Sequence, residues 1–191
     1  MKINPNDVKM FFTSDTHFRH KSIQKFCPDS RGTDGVNEHD RRLIRNWQSQ
    51  VQPDDLVFIL GDFSFGDADE TRRTLDQLPG QKILIYGNHD KVIRSDYSLQ
   101  KMFHKCTEYM RIHVEEFPII LFHYPIYEWD MIHRGAFHLH GHVHGSLDSP
   151  KVIPGRVMDV GIDSRPSGDM MLWTWEEIKR TLVKEPIREH H

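Results

Sequence analysis

The chain has little of what marks secreted, membrane-spanning or polyanion-binding proteins. Its two cysteines, Cys27 and Cys106, form neither a C-x-x-C motif nor a disulfide framework. No apolar run approaches the roughly 20 residues needed to span a bilayer. The N-terminal sequence MKINPNDVKMFF lacks the apolar stretch of a signal peptide. We therefore expect a cytoplasmic protein that does not associate with membranes and keeps both thiols reduced.

A large excess of positive or negative charge is also missing. The chain has 25 Lys and Arg against 28 Asp and Glu, a net charge of −3, so no basic excess is available to neutralise a nucleic-acid backbone. A length of 191 residues with 37% hydrophobic residues fits one globular domain over 1–191. Histidine is the exception, with 14 copies. It is the commonest metal ligand and the usual acid or base near neutral pH. His190 and His191 are set aside because Glu189 and these two residues resemble the start of a purification tag.

Short apolar runs that end abruptly in polar residues recur along the chain. Their Val, Ile and Phe content predicts buried strands at 8–14, 55–60, 82–86, 118–122, 136–140 and 156–160. Helical spacing of apolar residues predicts helices at 37–51, 69–78, 95–103 and 175–183, followed by a tail at 184–191. This alternation is typical of an α/β fold, in which the carboxyl ends of the strands line the ligand crevice.

The polar clusters at these strand ends differ in how specific they are. DTH at 15–17 and GD at 61–62 are each weak evidence for a site by themselves, because such residues are common in ordinary turns. GNHD at 87–90 is more specific. GHVHG at 141–145 is the most specific, because histidines at i and i+2 share a face. Together the clusters offer two carboxylates, one carboxamide and several imidazoles, which suit Mn, Fe, Zn, Ni or Co. These are more ligands than one ion needs, and two ions about 3.5–4 Å apart would use them all.

In this order and at these intervals, the motifs resemble those of the calcineurin-like metallophosphoesterase superfamily. The resemblance runs from about Met10 to Asp163, and the chain looks like a small bacterial or phage-type phosphoesterase without a cap. It implies a two-sheet α/β sandwich flanked by helices, with a dinuclear metal site at the carboxyl ends of the strands.

The resemblance also implies a role for each matching residue. Asp15, His17 and His144 would bind the first metal, Asp62 would bridge both, and Asn88, His123 and His142 would bind the second. The predicted catalytic residues are Asp62, Asn88 and His89. His89 would face the substrate and stabilise or protonate the leaving oxygen. Asp90 would orient backbone or a neighbouring side chain.

One segment departs from the family pattern. Many members carry Gly-Asp-x-x-Asp-x-Gly, whose second Asp supports the catalytic histidine, but Phe65 stands at that position here. Asp67, two residues further on, is the candidate replacement. Arg19, His20 and Tyr124 adjoin ligand positions and are candidate substrate contacts. A surface Arg-His pair and a packing tyrosine remain alternatives for these three residues.

These features predict a phosphoesterase in which a metal-bridging hydroxide attacks the phosphorus of a small phosphate ester. Manganese is the first choice of metal, with Fe, Zn, Ni or Co as alternatives. Because no cap is recognisable, we favour a phosphodiesterase acting on small or nucleotide-type diesters. A phosphomonoesterase, a nuclease and a non-catalytic scaffold are the alternatives. The charge balance argues against the nuclease, and the intact ligand set argues against the scaffold.

Overall fold

Two five-stranded sheets pack face to face in the computed structural model, which describes residues 1–146 and 153–189. The first sheet has the order β1 (Lys2–Ile3), β6 (Tyr109–Val114), β7 (Phe117–Phe122), β8 (Phe137–His140) and β9 (Val157–Asp159). The second has the order β10 (Trp173–Thr174), β2 (Met10–Thr13), β3 (Leu56–Ile59), β4 (Gln81–Ile85) and β5 (Lys105–Thr107). The predicted two-sheet α/β sandwich is thus confirmed.

Parallel pairing brings the carboxyl ends of strands from both sheets to one side of the sandwich. Strands β2, β3, β4 and β5 are parallel to one another, and so are β7, β8 and β9. A parallel bridge between Ser14 and Gly161 joins the end of β2 to the end of β9. The two sheets therefore meet at the edge where their parallel strands end.

Apolar residues cover both faces of the central strands. In β3, Phe58 points into the space between the sheets and its ring stacks on Phe12 at 5.0 Å, while Val57 and Ile59 pack against the helices outside. Strands buried on both faces need continuous apolar sequence rather than alternation. This requirement explains why the sequence around β3 is an unbroken apolar run.

Seven α-helices lie within the described residues. They are α1 (Ile23–Phe26), α2 (Pro28–Arg31), α3 (Val36–Gln50), α4 (Ala68–Leu75), α5 (Lys91–Ser95), α6 (Tyr97–Gln100) and α7 (Trp175–Leu182). Helices α3, α4 and α7 confirm three predicted helices. Asp67 caps α4 and Thr174 caps α7, each in a capping box with the glutamate three residues later. None of the described helices is long and apolar enough to cross a membrane.

Several elements differ from the sequence-based expectations. The predicted helix at 95–103 is replaced by the short helices α5 and α6, and α1 and α2 were not predicted. Strands β1, β5, β6 and β10 were also missed. Strand β6 alternates buried and partly exposed residues, so its period-2 pattern was available in the sequence. The last two residues of the predicted tail lie outside the described residues.

Candidate metal centre

The predicted site residues follow the carboxyl ends of parallel strands from both sheets. In the second sheet, Asp15 and His17 follow β2, Asp62 follows β3, and Asn88 and His89 follow β4. In the first sheet, His123 directly follows β7, and His142 and His144 follow β8. Because these ends lie at one edge of the sandwich, side chains up to 129 residues apart in sequence meet there.

Asp15, His17 and His144 form the first group of candidate ligands. One ligand atom from each lies within 4.8 Å of the others. Asp15 Oδ1 is 3.7 Å from His17 Nε2 and 4.0 Å from His144 Nε2. These separations leave room for a cation between the three atoms, since metal–ligand bonds to nitrogen and oxygen are about 2.0–2.2 Å long.

Asp62, His123 and His142 form the second group, again with ligand atoms within 4.8 Å of one another. Asn88 joins it, because its Oδ1 lies 3.0 Å from His123 Nε2. Asp62 Oδ2 lies 3.6 Å from His123 Nε2 and 3.7 Å from His17 Nε2 in the first group. The carboxylate of Asp62 therefore stands between the two groups.

Two buried polar atoms in the first group have no hydrogen-bond partner among the described residues, and this bears on whether a metal fits between them. Asp15 Oδ1 and His17 Nε2 are buried and form no hydrogen bond to any residue that the structure describes. A buried polar atom without a partner is costly, and such atoms are rare. A cation between them would satisfy both. The oxygen and nitrogen donors of the two groups suit divalent cations of intermediate hardness. The residues present therefore fit a metal centre.

The backbone at the candidate ligands is strained. Five of them have left-handed φ angles between 50° and 72°, namely Asp15, His17, Asp62, His142 and His144. For residues other than glycine this conformation costs about 1 kcal/mol or more, and it persists only where surrounding structure imposes it. Such strain concentrates at functional sites. Here it turns side chains from successive strand ends toward one point.

Two glycines leave space for the candidate ligands. A Cβ on Gly87 would lie 2.2 Å from Asp62 Oδ1, and a Cβ on Gly141 would lie 2.3 Å from Asp15 Oδ2. A Cβ on Gly87 would also lie 2.6 Å from the backbone nitrogen of Asp62, and a Cβ on Gly141 would lie 1.9 Å from Ser14 Oγ, so neither position can hold a larger residue unless its surroundings move. The glycines of the GNHD and GHVHG motifs are therefore required by close approach of the backbone to Asp15 and Asp62.

Hydrogen bonds beyond the two groups orient their members. His123 donates from Nδ1 to the carbonyl of Leu60 at 2.6 Å, which aims Nε2 at Asp62. Asp90 accepts from the backbone N–H groups of Asp62, Phe63 and Gly87 at 2.8–3.0 Å. This is the backbone-orienting role predicted for Asp90. Such outer contacts hold ligand rings and carboxylates in the geometry that a metal requires.

Arg31 and Asp163, which the sequence analysis did not assign to the site, support the first group. Arg31 is fully buried, and its Nε and Nη2 bind the two carboxylate oxygens of Asp163 at 2.8 and 2.6 Å. It also donates to the carbonyls of Asp15 and Thr16 at 2.5 and 3.2 Å. Asp163 in turn binds His144 Nδ1 at 2.7 Å. Asp163 follows an apolar run, as the other site residues do, whereas no sequence pattern marks Arg31.

Charge states differ sharply within the first group. Burial disfavours an ionised Asp15, but the electrostatic attraction of the nearby histidines outweighs it and lowers its pKa to about 2. Burial lowers the pKa of His17 to about 4. Burial also opposes a charge on His144, yet its hydrogen bond to Asp163 raises its pKa to about 10. At neutral pH, Asp15 is therefore an anion and His17 a neutral base, which are the forms that bind metals, whereas His144 is protonated in the metal-free protein and must release its proton when it binds a metal.

His89 lies at the rim of the centre, with its side chain 45% exposed and Nε2 4.0 Å from Asp62 Oδ2. Its backbone N–H donates to Asp62 Oδ1 at 2.8 Å. The ring of Phe65 lies 4.6 Å from the His89 ring. Asp67 does not take the place suggested for it, because its carboxylate caps α4 by accepting from the N–H of Glu70. His89 is thus neighboured by an aromatic ring where the family pattern has an acid.

The three candidate substrate contacts are placed differently. His20 lines the cleft above the metal centre. Tyr124 borders the second group, with its ring 4.7 Å from that of His142. Arg19 instead points to the neighbouring surface, where Glu70 at 3.0 Å and Asn37 at 2.8 Å bind its guanidinium. The structure therefore does not bring Arg19 to the cleft.

Comparisons with known proteins identify relatives. The family model described as calcineurin-like phosphoesterase matches residues 8–142. The Gene 66 protein of Mycobacterium phage L5 is 30% identical over 181 residues, covering 81% of this chain and 86% of its own length. An uncharacterized protein of Methanocaldococcus jannaschii is 41% identical over 85 residues, or 44% of this chain and 47% of its own. The solved structure of AQ665 from Aquifex aeolicus, titled a protein of unknown function, is similar with a TM-score of 0.72 and 27% identity, covering 91% of this chain and 98% of AQ665.

Proposed function

Because the chain belongs to the calcineurin-like phosphoesterase family, and is accordingly a metal-dependent hydrolase of phosphate esters, we propose that it is a phosphodiesterase for small, nucleotide-type diesters. It works with two divalent cations, of which manganese is the first choice. Asp15, His17 and His144 hold one cation, and Asn88, His123 and His142 hold the other. Asp62 is shared between them.

The position of Asp62 carries this proposal. Its Oδ2 is almost equidistant from His17 Nε2 and His123 Nε2, at 3.7 and 3.6 Å. A carboxylate placed between two ligand groups is the arrangement that a pair of cations needs. Bound there, the cations supply Lewis acidity that activates water and neutralises phosphoryl oxygens. The protein contributes fixed ligand geometry, through strained backbone and buried hydrogen bonds, so little reorganisation is needed.

His89 acts on the leaving group. Its ring is exposed at the rim, where a bound ester can reach it, and its backbone is tied to Asp62. From this position its imidazole donates a proton to the oxygen that departs from phosphorus. Since Phe65 and not a carboxylate lies beside the ring, His89 works without an acidic partner at that position.

The charge of the cleft favours diesters over monoesters. Its volume is about 570 Å³, and none of the described residues that line it is lysine or arginine. A monoester dianion needs more positive charge for neutralisation than a diester monoanion does. With Arg19 engaged by Glu70 outside the cleft, the diester is the better electrostatic match.

The proposal is tested with protein stripped of metal and reconstituted with Mn²⁺, Ni²⁺ or Zn²⁺. Hydrolysis of bis-p-nitrophenyl phosphate is compared with that of p-nitrophenyl phosphate, and bound metal is counted by elemental analysis. We expect metal-dependent turnover of the diester and two metals per chain. His89→Ala should lower the rate about 10²- to 10⁴-fold and leave the metal content unchanged, whereas Asp62→Asn should lower both.

A matched control is His104→Ala, because His104 is exposed and lies outside the cleft. It should keep the wild-type rate and metal content. Turnover of the monoester alone would assign a phosphomonoesterase. An Asp62→Asn protein with full metal content and full rate would refute the proposed centre.

A further inference from the structure

Two phenylalanines leave their rings exposed beside the candidate metal centre. Phe26, the last residue of α1, is 73% exposed, and Phe65, which follows β3, is 39% exposed. Both line the same cleft as His17, His142 and His144. Apolar surface that folding leaves uncovered next to a reactive centre is typical of a ligand-binding surface.

The two rings belong to one aromatic arrangement that begins at the metal centre. The Phe65 ring stacks on His17 at 4.9 Å and contacts His89 at 4.6 Å. Its other neighbour is His20, whose ring meets Phe65 edge-on at 4.1 Å and Phe26 edge-on at 6.3 Å. We propose that Phe65, His20 and Phe26 form an aromatic shelf that binds the base of a nucleotide-type substrate while its phosphate lies at the metal centre.

A nucleobase matches the chemistry of the shelf. Planar bases stack on exposed aromatic side chains, and one such contact strengthens binding about 5- to 150-fold. Ile23, on the same helix as Phe26, extends the apolar wall of the cleft. His20 adds a polar group, because its Nδ1 accepts from the N–H of Ser22 at 3.2 Å, so the neutral ring carries its proton on Nε2. Stacking plus one donor suits a heteroaromatic ring better than an aliphatic alcohol.

Size and charge point to a single nucleotide unit and not to a polynucleotide. The cleft of about 570 Å³ is within the range of small-molecule sites. A strand would need basic residues along its backbone, but no lysine or arginine lies among the described residues that line the cleft, and the chain carries a net charge of −3. The shelf therefore holds one base beside one phosphate. This inference rests on the proposed phosphodiesterase function of the same cleft.

The test measures binding, so that it does not depend on turnover. Adenosine 5′-monophosphate and ribose 5-phosphate, which share the phosphorylated sugar and carry adenine or a hydroxyl group at the anomeric carbon, are titrated calorimetrically into Mn²⁺-loaded protein. We expect the nucleotide to bind at least 5-fold more tightly. Phe26→Leu and Phe65→Leu, which keep apolar volume but remove the ring, should each reduce that ratio. Tyr97→Leu is the matched control, since Tyr97 is 70% exposed and lies outside the cleft, and it should leave the ratio unchanged.

Equal affinities for the two ligands in the wild-type protein would overturn the shelf, as would a ratio that survives both phenylalanine substitutions. Hydrolysis of bis-p-nitrophenyl phosphate is assayed on the same samples. Turnover of that diester without a preference for the nucleotide would refute the shelf and leave the proposed function standing. A base-dependent preference without turnover of any phosphate ester would refute the proposed function and leave the shelf standing.

Discussion

Replacing Arg31 with methionine should destabilise the protein far more than a change at any surface arginine. The guanidinium of Arg31 is completely buried and holds both oxygens of Asp163, whose side chain is 3% exposed. It also binds the carbonyls of Asp15 and Thr16. Methionine keeps much of the volume of arginine but removes every one of these hydrogen bonds.

The expected cost follows from burial. Removing one partner of a buried ion pair costs about 3–5 kcal/mol; because Asp163 keeps its contact with His144 at 2.7 Å, we expect a cost at the lower end of this range. Arg111 provides the matched control, because it pairs with an aspartate, Asp130, and both side chains are about half exposed. An exposed pair of this kind contributes about 0–1 kcal/mol. The two methionine variants should therefore differ by about 2 kcal/mol or more.

Urea unfolding of the metal-free proteins, followed by circular dichroism, measures this difference directly. A second readout is metal affinity, because Arg31 supports Asp15 directly and His144 through Asp163. Loss of such an outer contact weakens metal binding about 10- to 100-fold. If Arg31→Met is no less stable than Arg111→Met and binds metal equally well, the argument that Arg31 organises the first ligand group is wrong.

Three further outcomes follow from single residues. Burial lowers the pKa of His138 to about 3, so its contribution to stability is complete above the unfolded pKa near 6.5 and is lost as the pH falls toward 3. His138→Gln should therefore flatten the decline in unfolding free energy between pH 6.5 and 4, whereas the same change at exposed His104 should not. Gly87→Ala should weaken metal binding about 10-fold or more with the fold retained, as measured by calorimetry, because the new methyl group would overlap the Asp62 carboxylate. Thr174→Ala removes an N-cap hydrogen bond and should cost about 1 kcal/mol in urea unfolding.

The candidate centre was largely predictable because its members share one sequence context. Each follows a short apolar run, and parallel strands place such positions at a common edge. The two clusters with flanking glycines, at 87–90 and 141–145, were the most informative. The structure supplies the reason, since a Cβ at Gly87 or Gly141 would collide with the carboxylate of Asp62 or Asp15, which follows another strand. The sequence therefore contains both the residue types that serve as ligands and the glycines that their close packing requires.

The short elements were not predictable in the same way. Helices α1 and α2 contain four residues each, too few to show a 3.6-residue period. Yet α1 carries Phe26 of the proposed shelf, and α2 carries Arg31. Their positions depend on tertiary contacts, such as the hydrogen bonds from Arg31 to the backbone after β2.

By itself, the sequence determined the α/β class, the edge of the fold that carries the site, and the residue types gathered there, because apolar runs and polar strand ends are local patterns. Only the tertiary structure decided that Arg31 and Asp163 fix His144, and that Arg19 is held by Glu70 outside the cleft. These relationships join residues that are distant in the chain, and their distances are set by how two sheets converge. No local pattern encodes that convergence, since it results from packing the whole core at once.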